Sequence, residues 1–350
     1  MKLDKILQNA VEKKASDIFI IAGQPLSYKI DGHILPQTDK KILPEDSKTF
    51  IEEIYKLAKR EMQSFLAAGD DDFSLTISGL SRFRVCTFKQ RGSLAAVIRV
   101  IMFGLPSYQQ LNIPQSIMDI AYISKGLVLF AGPAGSGKTT TLACIIDNIN
   151  THYNNHIITL EDPIEYLHSN KKSIISQREI HTDTTNYLSA LRASLRQSPD
   201  VVLLGEMRDF ETIQTAITAS ETGHLIISTL HTSNATNTID RVIDVFPSSQ
   251  QQQIRFQLSM VLKAVVCQQL IPAAGGGNIP VFEIMYVNNA IQNMIRESKT
   301  HQFNTVINSC ASSGMCSMDN SLIDLAKKGM ITNEDALRYS QNPEFVAKKI

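Results

Sequence analysis

The stretch Gly132-Pro133-Ala134-Gly135-Ser136-Gly137-Lys138-Thr139 matches every fixed position of the nucleoside-triphosphate P-loop. An apolar run of strand type, residues 126–131, precedes it, and residues 140–150 follow with the apolar spacing of a helix. A glycine-rich turn between strand and helix points consecutive backbone N–H groups at one anion, at the positive end of the helix dipole. The stretch therefore predicts a P-loop domain that binds ATP or GTP.

The loop also supplies the side chains that a bound nucleotide and its metal ion need. Lys138 is predicted to reach the β- and γ-phosphates, and the Thr139 hydroxyl to ligate Mg²⁺. A chance match in an ordinary glycine-rich turn is the alternative, and the flanking strand and helix argue against it. The residues predicted to bind the nucleotide are Gly132, Pro133, Ala134, Gly135, Ser136, Gly137, Lys138, Thr139 and Thr140.

Length and composition favour a folded cytoplasmic protein. The 350 residues suffice for about two domains. Lysine and arginine together number 34, equal to aspartate and glutamate, so no overall positive field favours nucleic acid. Five cysteines, an odd number without metal-ligand spacing, favour a reducing compartment. The N-terminal residues lack the apolar core of a signal peptide, and no apolar run reaches the roughly 20 residues of a membrane span.

The chain divides by pattern into three parts. Residues 1–100 predict a small α+β domain, and residues 101–116, which carry glycine and prolines with little periodicity, predict a linker. Strands and helices alternate from 117 to 350. That alternation after a P-loop predicts an α/β domain with a parallel sheet covered by helices.

The first domain has its own local signals. A hairpin is predicted to turn at Asp31-Gly32. The triple acid Asp70-Asp71-Asp72 predicts a solvated turn rather than a metal site. Arg84 and Arg99 interrupt otherwise apolar strands, which makes them candidates for a functional surface.

An apolar strand at 201–204 ends in Gly205-Glu206, where a Walker B element belongs. The aspartate usual before the glutamate is Gly205 here, so Mg²⁺ cannot be ligated from that position. Glu206 is placed to polarise or deprotonate the attacking water. A helix-capping carboxylate is the alternative interpretation.

Acids and histidines border two further strands. Glu161 and Glu165 follow one apolar strand, at the end where ligands bind in open parallel sheets, and can hold Mg²⁺ through its waters. His224 and His231 bracket another apolar strand and predict a phosphate sensor, although a single histidine is more often structural.

Arginines exceed what one nucleotide site needs. Arg192 and Arg196 are four residues apart on a helix predicted over 186–197, so they share one face. A solvated basic face is the ordinary interpretation. With Arg84 and Arg99 also in surplus, the pattern predicts a site completed by another subunit, as arginine fingers do.

Four blocks of this sequence together resemble the secretion ATPases of the type II/type IV pilus superfamily, and above all its PilT-type retraction ATPases. The blocks are the P-loop, an "Asp box" at 159–165, the atypical Walker B Gly205-Glu206-Met207-Arg208-Asp209, and a "His box" at 221–232. The resemblance extends over nearly the whole chain. It implies a C-terminal RecA-like P-loop ATPase domain behind a smaller N-terminal α+β domain that is PAS-like.

The resemblance also implies a function and a role for each candidate residue. It implies a homohexameric ring that docks on the membrane platform protein at the cytoplasmic face of the membrane, hydrolyses ATP with Mg²⁺ and removes pilins from the pilus base, without nucleic acid. At the nucleotide, it implies that Lys138 and Thr139 contact phosphate and Mg²⁺ and that Glu206 is the general base. It implies that Glu161 and Glu165 are the Asp-box acids and that His224 and His231 are the His-box pair. It also implies that Arg192 and Arg196 act across the subunit interface, and that Arg84 and Arg99 close from the first domain onto the nucleotide.

Three residues differ from the family's usual pattern, and several other functions were considered. Phe19, Ser198 and Gln292 differ from the residues usual in the family, and Gln292 replaces an arginine in a motif tied to retraction. A PilU-like accessory role fits the same motifs. An assembly ATPase is disfavoured because neither an extra N-terminal domain nor a four-cysteine zinc site is present. Zero net charge disfavours a nucleic-acid translocase, and the intact Lys138 and Glu206 disfavour a scaffold without turnover.

Overall fold

Alternating apolar residues in the first hundred positions build an antiparallel sheet. In the computed structural model, which describes residues 2–30, 32–101 and 104–350, this sheet belongs to a unit spanning Met1–Gly104. Its strands are β1 (Asp17–Ile20), β2 (Pro25–Ile30), β3 (His33–Lys41), β4 (Asp70–Ile77), β5 (Ser81–Gln90) and β6 (Ser93–Ile101), in the order β3-β2-β1-β6-β5-β4. Its helices are α1 (Leu3–Glu12), α2 (Pro44–Leu57) and α3 (Gln63–Ala68). The predicted turn residue Asp31 lies outside the described residues.

One face of this sheet is buried and the other carries charge. Ile18, Val85 and Ile98 lie on the buried face, in one core with residues of all three helices. Strand geometry puts alternate residues on opposite faces, so the neighbouring Arg84 and Arg99 lie together on the other face.

The prediction of a solvated turn at Asp70–Asp72 is wrong, because these acids begin β4. Asp71 accepts a hydrogen bond from the Tyr55 hydroxyl at 2.9 Å and pairs with Arg60 at 3.2 Å. Asp72 Oδ2 lies 2.6 Å from Arg84 Nη2. These partners come from α2, the segment after it and a neighbouring strand, so local sequence could not reveal them.

The second unit, Leu105–Ile350, follows the predicted alternation of strands and helices. Its strands are β7 (Gly126–Ala131), β8 (His156–Glu161), β9 (Ile174–Glu179), β10 (Val201–Leu204), β11 (Leu225–Leu230), β12 (Leu262–Pro272) and β13 (Asn278–Tyr286). Its helices are α4 (Gln115–Met118), α5 (Lys138–His152), α6 (Tyr187–Ser194), α7 (Phe210–Glu221), α8 (Ala235–Asp244), α9 (Ser248–Val261), α10 (Asn289–Arg296), α11 (Phe303–Ser309), α12 (Met318–Lys327), α13 (Asn333–Tyr339) and α14 (Pro343–Ala347).

A single mixed sheet organises this unit, in the order β13-β12-β7-β11-β10-β8-β9. Strands β7 to β12 are parallel to their neighbours, and β13 returns antiparallel to β12. Helices α4 and α5 pack on one face, and the later helices pack on the other. The predicted fold class, a RecA-like α/β unit behind a smaller α+β unit, is confirmed.

Residues predicted as a linker, 101–116, largely belong to the second unit. Leu105, Tyr108 and Leu111 pack against the core beneath α4 and α5. Met102 and Phe103 lie outside the described residues. In the described part of the chain, no helix has both the length and the apolar character needed to cross a membrane.

Candidate active site

The P-loop leaves β7 and ends as the first turn of α5. Gly132, Gly135 and Gly137 have φ values of +145°, +76° and +85°, a range that residues with a Cβ rarely adopt. Gly137 is the N-cap of α5, so the backbone N–H groups of the loop and of the first helical turn converge at one place. This backbone conformation suits the anion cradle that the motif predicts, and anion binding in it stays a prediction.

A glutamine from the neighbouring strand β12 braces this cradle. A Cβ on Gly132 would lie 2.2 Å from the Gln268 carbonyl oxygen, and one on Gly137 would lie 2.9 Å from Gln268 Nε2. Gln268 Oε1 also accepts a hydrogen bond from Thr141 Oγ1 at 2.9 Å. One buried residue thus lies against both ends of the loop, with its backbone carbonyl at Gly132 and its side chain at Gly137. The sequence analysis missed Gln268, because no motif marks it and it lies far along the chain.

Lys138 points back into the loop. Its Nζ donates to the carbonyl oxygens of Gly132 at 2.7 Å and Pro133 at 2.9 Å. Burial lowers the pKa of Lys138, because the charged ammonium is partly removed from water. An entering phosphate would offer the ammonium anionic oxygens in place of these carbonyls, which gives the lysine a strong preference for phosphate.

Glu161 is the buried acid of the site. It ends β8, and its Oε1 accepts hydrogen bonds from Thr159 Oγ1 at 2.6 Å and Gln177 Nε2 at 3.3 Å. Burial raises the pKa of Glu161 to about 7, and the nearby negative charge of Glu165 adds to the effect. Glu165 itself is exposed. The two predicted Asp-box acids therefore differ: one is a shielded carboxyl and the other faces solvent.

The raised pKa of Glu161 predicts a pH-dependent stability. Because the folded state binds this proton more tightly, the free energy of unfolding falls as the pH rises from 4.5 toward 7. We expect Glu161→Gln, measured without metal or nucleotide, to be more stable than the parent by up to about 3 kcal/mol at pH 8 and by little at pH 4.5. The exposed Glu334→Gln is the control, with no such gain. Parallel urea-unfolding stabilities of parent and Glu161→Gln across this pH range would contradict the prediction.

The Asp box turns toward α5 after Glu161. The Asp162–Pro163 peptide bond is cis. The Tyr166 hydroxyl then comes within 2.9 Å of Thr140 Oγ1, in the first turn of α5. The segment after β8 is thereby joined to the helix that begins at the P-loop.

Glu206 lies at the same edge of the sheet, on a backbone held from both sides. Gly205 N donates to the Leu160 carbonyl at 2.8 Å, and Thr229 Oγ1 donates to the Gly205 carbonyl at 2.5 Å. The helix-cap interpretation of Glu206 is wrong, because Asp209 accepts from the N–H of Thr212 and caps α7.

The Glu206 carboxylate has two basic neighbours. Its Oε2 lies 2.8 Å from Arg208 Nε and 3.5 Å from His231 Nε2. The Arg208 side chain is 74% exposed, so the pair faces solvent on one side. A carboxylate in this position can accept a proton from a water molecule, and the histidine can respond to its charge.

His224 does not share this edge with His231. It precedes β11, where its carbonyl accepts from Gly126 N at 3.0 Å, at the start of β7 rather than at its P-loop end. Its ring Nδ1 lies 3.0 Å from the Ala219 carbonyl. The two histidines lie at opposite ends of β11, as their positions in the sequence indicate, so His224 does not lie beside Glu206 with His231. The role of His224 toward the nucleotide stays a prediction.

The predicted helix over 186–197 is shorter than expected. Helix α6 ends at Ser194, so Arg196 lies in the turn that follows, and Pro199 prevents the helix from continuing. Arg192 stays on α6, 4.0 Å from Glu211, with both side chains largely exposed. The two arginines therefore do not share one helical face.

The first-unit arginines have acidic partners within their own sheet. Arg84 pairs with Asp72 at 2.6 Å, and Arg99 Nε lies 3.1 Å from Asp17 Oδ1. Arg84 and Arg99 are directly opposite each other across β5 and β6. Their predicted role toward the nucleotide stays a prediction.

A pocket of about 330 Å³ opens beside Glu206. Its walls come from the start of α6 and from the segment between β10 and α7. The lining residues are Asn186, Tyr187, Leu188, Glu206, Arg208 and Asp209.

Comparison with known proteins agrees with this geometry. Residues 1–338 match the family described as Type II/IV secretion system protein. The chain belongs to that family. Within the family, it is 40% identical to "Type IV pilus retractation ATPase PilT" of Pseudomonas aeruginosa over 98% of this chain and 99% of that protein.

Two further relatives frame the comparison. The chain is 36% identical to "Type IV pilus ATPase PilU" of the same organism, over 98% of this chain and 89% of PilU. A crystal structure of the pilus retraction motor PilT with bound ADP superposes on this chain with a TM-score of 0.93, at 41% identity and 99% coverage of both. The family's fold therefore holds over essentially the whole chain.

Proposed function

We propose that this chain is an ATPase motor that drives the retraction of type IV pili. The observation that carries the proposal is the gathering of the P-loop, Glu161, Glu206 and His231 at one edge of a RecA-like sheet. The near full-length similarity to PilT supports pilus retraction as the work that this hydrolysis drives. ATP is the substrate, and ADP and phosphate are the products.

The residues at the sheet edge divide the work of hydrolysis. The P-loop N–H groups and Lys138 bind the β- and γ-phosphates and stabilise the charge that develops during transfer. Glu206 takes the proton of the attacking water. His231 Nε2 lies 3.5 Å from the Glu206 carboxylate, close enough to sense whether that group is charged or protonated.

The site fits Mg²⁺ as well as nucleotide. Thr139 offers its hydroxyl in the first turn of α5, Glu161 offers a carboxylate at the end of β8, and Glu165 offers another in the segment that follows. Mg²⁺ keeps several waters and prefers oxygen ligands, so this set suits it without a full protein cage. When bound, the ion neutralises phosphate charge.

Arginines from other parts of a homohexameric ring complete the site. Arg192 and Arg196 are exposed, and the Arg192–Glu211 contact at 4.0 Å is of the surface kind that costs little to break. They are therefore available to a nucleotide in a neighbouring subunit. Arg84 and Arg99 reach the nucleotide by exchanging Asp72 and Asp17 for phosphate, which couples closure of the first unit to the state of the nucleotide.

The ring acts at the cytoplasmic face of the membrane, where it docks on the pilus platform protein.

Helix α10 carries Gln292, the residue that differs from the family's usual arginine, and also Arg296. The Arg296 side chain donates from Nε to Ser259 Oγ at 2.8 Å and lies over the Phe256 ring at 5.5 Å. Arg296 therefore holds α10 against α9. The replacement at Gln292 lies on the same helix and changes one charge without touching the P-loop.

A strain lacking this chain tests the proposal. We expect surplus surface pili and lost surface motility, because pili are still built and no longer withdrawn. Missing pili would instead mean an assembly ATPase. Unchanged pilus length with unchanged motility would contradict a motor role, and pili of normal number with weakened motility would favour the accessory role that similarity to PilU suggests.

The same strain tests the arginines acting between subunits. Lys138→Ala and Arg196→Ala chains, each of which we expect to be inactive alone, are produced together. Mixed rings contain sites that pair an intact P-loop with an intact neighbouring arginine, so part of the ATPase activity and motility returns. No recovery in confirmed mixed rings would place Arg196 in its own subunit's site.

A further inference from the structure

A phenol lies among the acids of the active-site edge, and no step above uses it. Tyr187 is the first residue of α6 and lines the pocket beside Glu206. A Cβ built on Gly205 would lie 2.7 Å from the Tyr187 hydroxyl oxygen and 3.1 Å from the Leu160 carbonyl oxygen. The hydroxyl therefore fills the space that an acidic side chain at position 205 would need.

This crowding explains why position 205 is glycine. Gly205 does not have a φ in the left-handed region, so backbone conformation alone would admit other residues. The Tyr187 ring adds a second contact, with Cε1 3.3 Å from the same built Cβ. The Tyr187 side chain thus occupies the space that a Walker B acid at position 205 would need.

The surroundings of the hydroxyl are acidic. Burial first, and then the negative charges of Asp162, Glu206 and Glu161, raise the pKa of Tyr187 far above its ordinary value. The phenol is therefore protonated at physiological pH and acts as an O–H donor. Tyr187 is only partly buried, so a water molecule in the pocket can reach it.

We propose that Tyr187 is a positioning residue for hydrolysis, whose hydroxyl takes the place of the acid that Gly205 lacks and fixes, by hydrogen bonding, the water that Glu206 activates. The inference rests on the proposed ATPase function. It assigns no proton transfer to Tyr187, since Glu206 receives the proton and the phenol orients the water. A hydrogen bond of this kind contributes about a factor of ten to the rate.

Tyr187→Phe tests the hydroxyl alone, because the ring and its packing stay. We expect kcat for ATP hydrolysis to fall about 10-fold, with KM for ATP, the affinity for MgADP measured by calorimetry, and the thermal midpoint all unchanged. Tyr153→Phe, a partly buried tyrosine just beyond the far end of α5, is the matched control and should keep the parent's kcat. A merely structural role would shift affinity or melting together with kcat, and that result would overturn the proposal. Parental kcat in Tyr187→Phe would overturn it too.

A second-site experiment tests the shared space. Gly205→Asp alone should lose most activity, because the new side chain meets the Tyr187 hydroxyl and the Leu160 carbonyl. Gly205→Asp combined with Tyr187→Ala should recover at least about 10-fold over Gly205→Asp, since the acid then has room and restores a polar group. A double variant no more active than Gly205→Asp would contradict the shared position. If the parent hydrolyses ATP and Glu206→Gln does not, a negative result refutes only the role of Tyr187, whereas an inactive parent refutes the proposed function.

Discussion

Glu206→Gln is expected to hydrolyse ATP at least about 10²-fold more slowly than the parent while binding MgATP nearly as well, the usual scale for losing a general base. The amide has almost the same shape and can still accept hydrogen bonds, but it cannot take a proton from water. Steady-state phosphate release and binding of a non-hydrolysable ATP analogue measure the two quantities separately. Because the P-loop and Lys138 are untouched, affinity should hold.

Glu221→Gln provides the matched control for this variant. Glu221 ends α7, the helix that begins shortly after Glu206, and its two carboxylate oxygens accept hydrogen bonds from Gln257 Nε2 at 3.0 and 3.2 Å. Its replacement should leave turnover unchanged. Normal turnover by Glu206→Gln would instead move the general base to Glu161 or Glu165.

Gly132→Ala is expected to abolish tight nucleotide binding. The new methyl group would lie 2.2 Å from the Gln268 carbonyl oxygen and 2.8 Å from Ser136 Oγ, so either β12 or the P-loop must move. A displaced loop no longer aims its N–H groups at one phosphate, and we expect the affinity for MgADP to fall at least about 10²-fold. Calorimetric titration with MgADP measures the change.

The control for this variant separates steric contact from backbone strain. Gly223 has φ +105°, and a Cβ there meets no atom within 4 Å. Gly223→Ala therefore carries a similar conformational cost, of about 1–3 kcal/mol in stability, without a clash, and should bind MgADP normally. Parental affinity in Gly132→Ala would show that β12 gives way and does not brace the loop.

The sequence predicts those parts of the site that a local pattern encodes. The P-loop lies between a strand and a helix as expected, and Glu206 follows directly after the end of a buried strand. Each of these depends on neighbours within about ten residues, where apolar period and turn chemistry decide the structure. The fold class followed from the same alternation.

Contacts between segments far apart in the chain could not be predicted from local sequence patterns. Gln268 and Tyr187 act through space on Gly132 and Gly205, and neither belongs to a motif. The positions of His224 and His231 at the two ends of one strand followed from the sequence, whereas the contact of His231 with Glu206 did not, because it joins two different strand ends. The acids Asp70–Asp72 were predicted to form a turn because their partners, on α2 and β5, lie at other positions in the chain.

The brace at Gln268 has a consequence for the order in which the protein forms on the ribosome. Thr141 and Gln268 are 127 residues apart, so the P-loop sequence emerges long before the strand that supports it. A growing chain that has just completed β11 holds the P-loop, the Asp box and Glu206, yet the loop lacks its neighbour on the β12 side. Contacts so far apart in sequence form late. We therefore expect the second unit to bind nucleotide only once its C-terminal strands are in place.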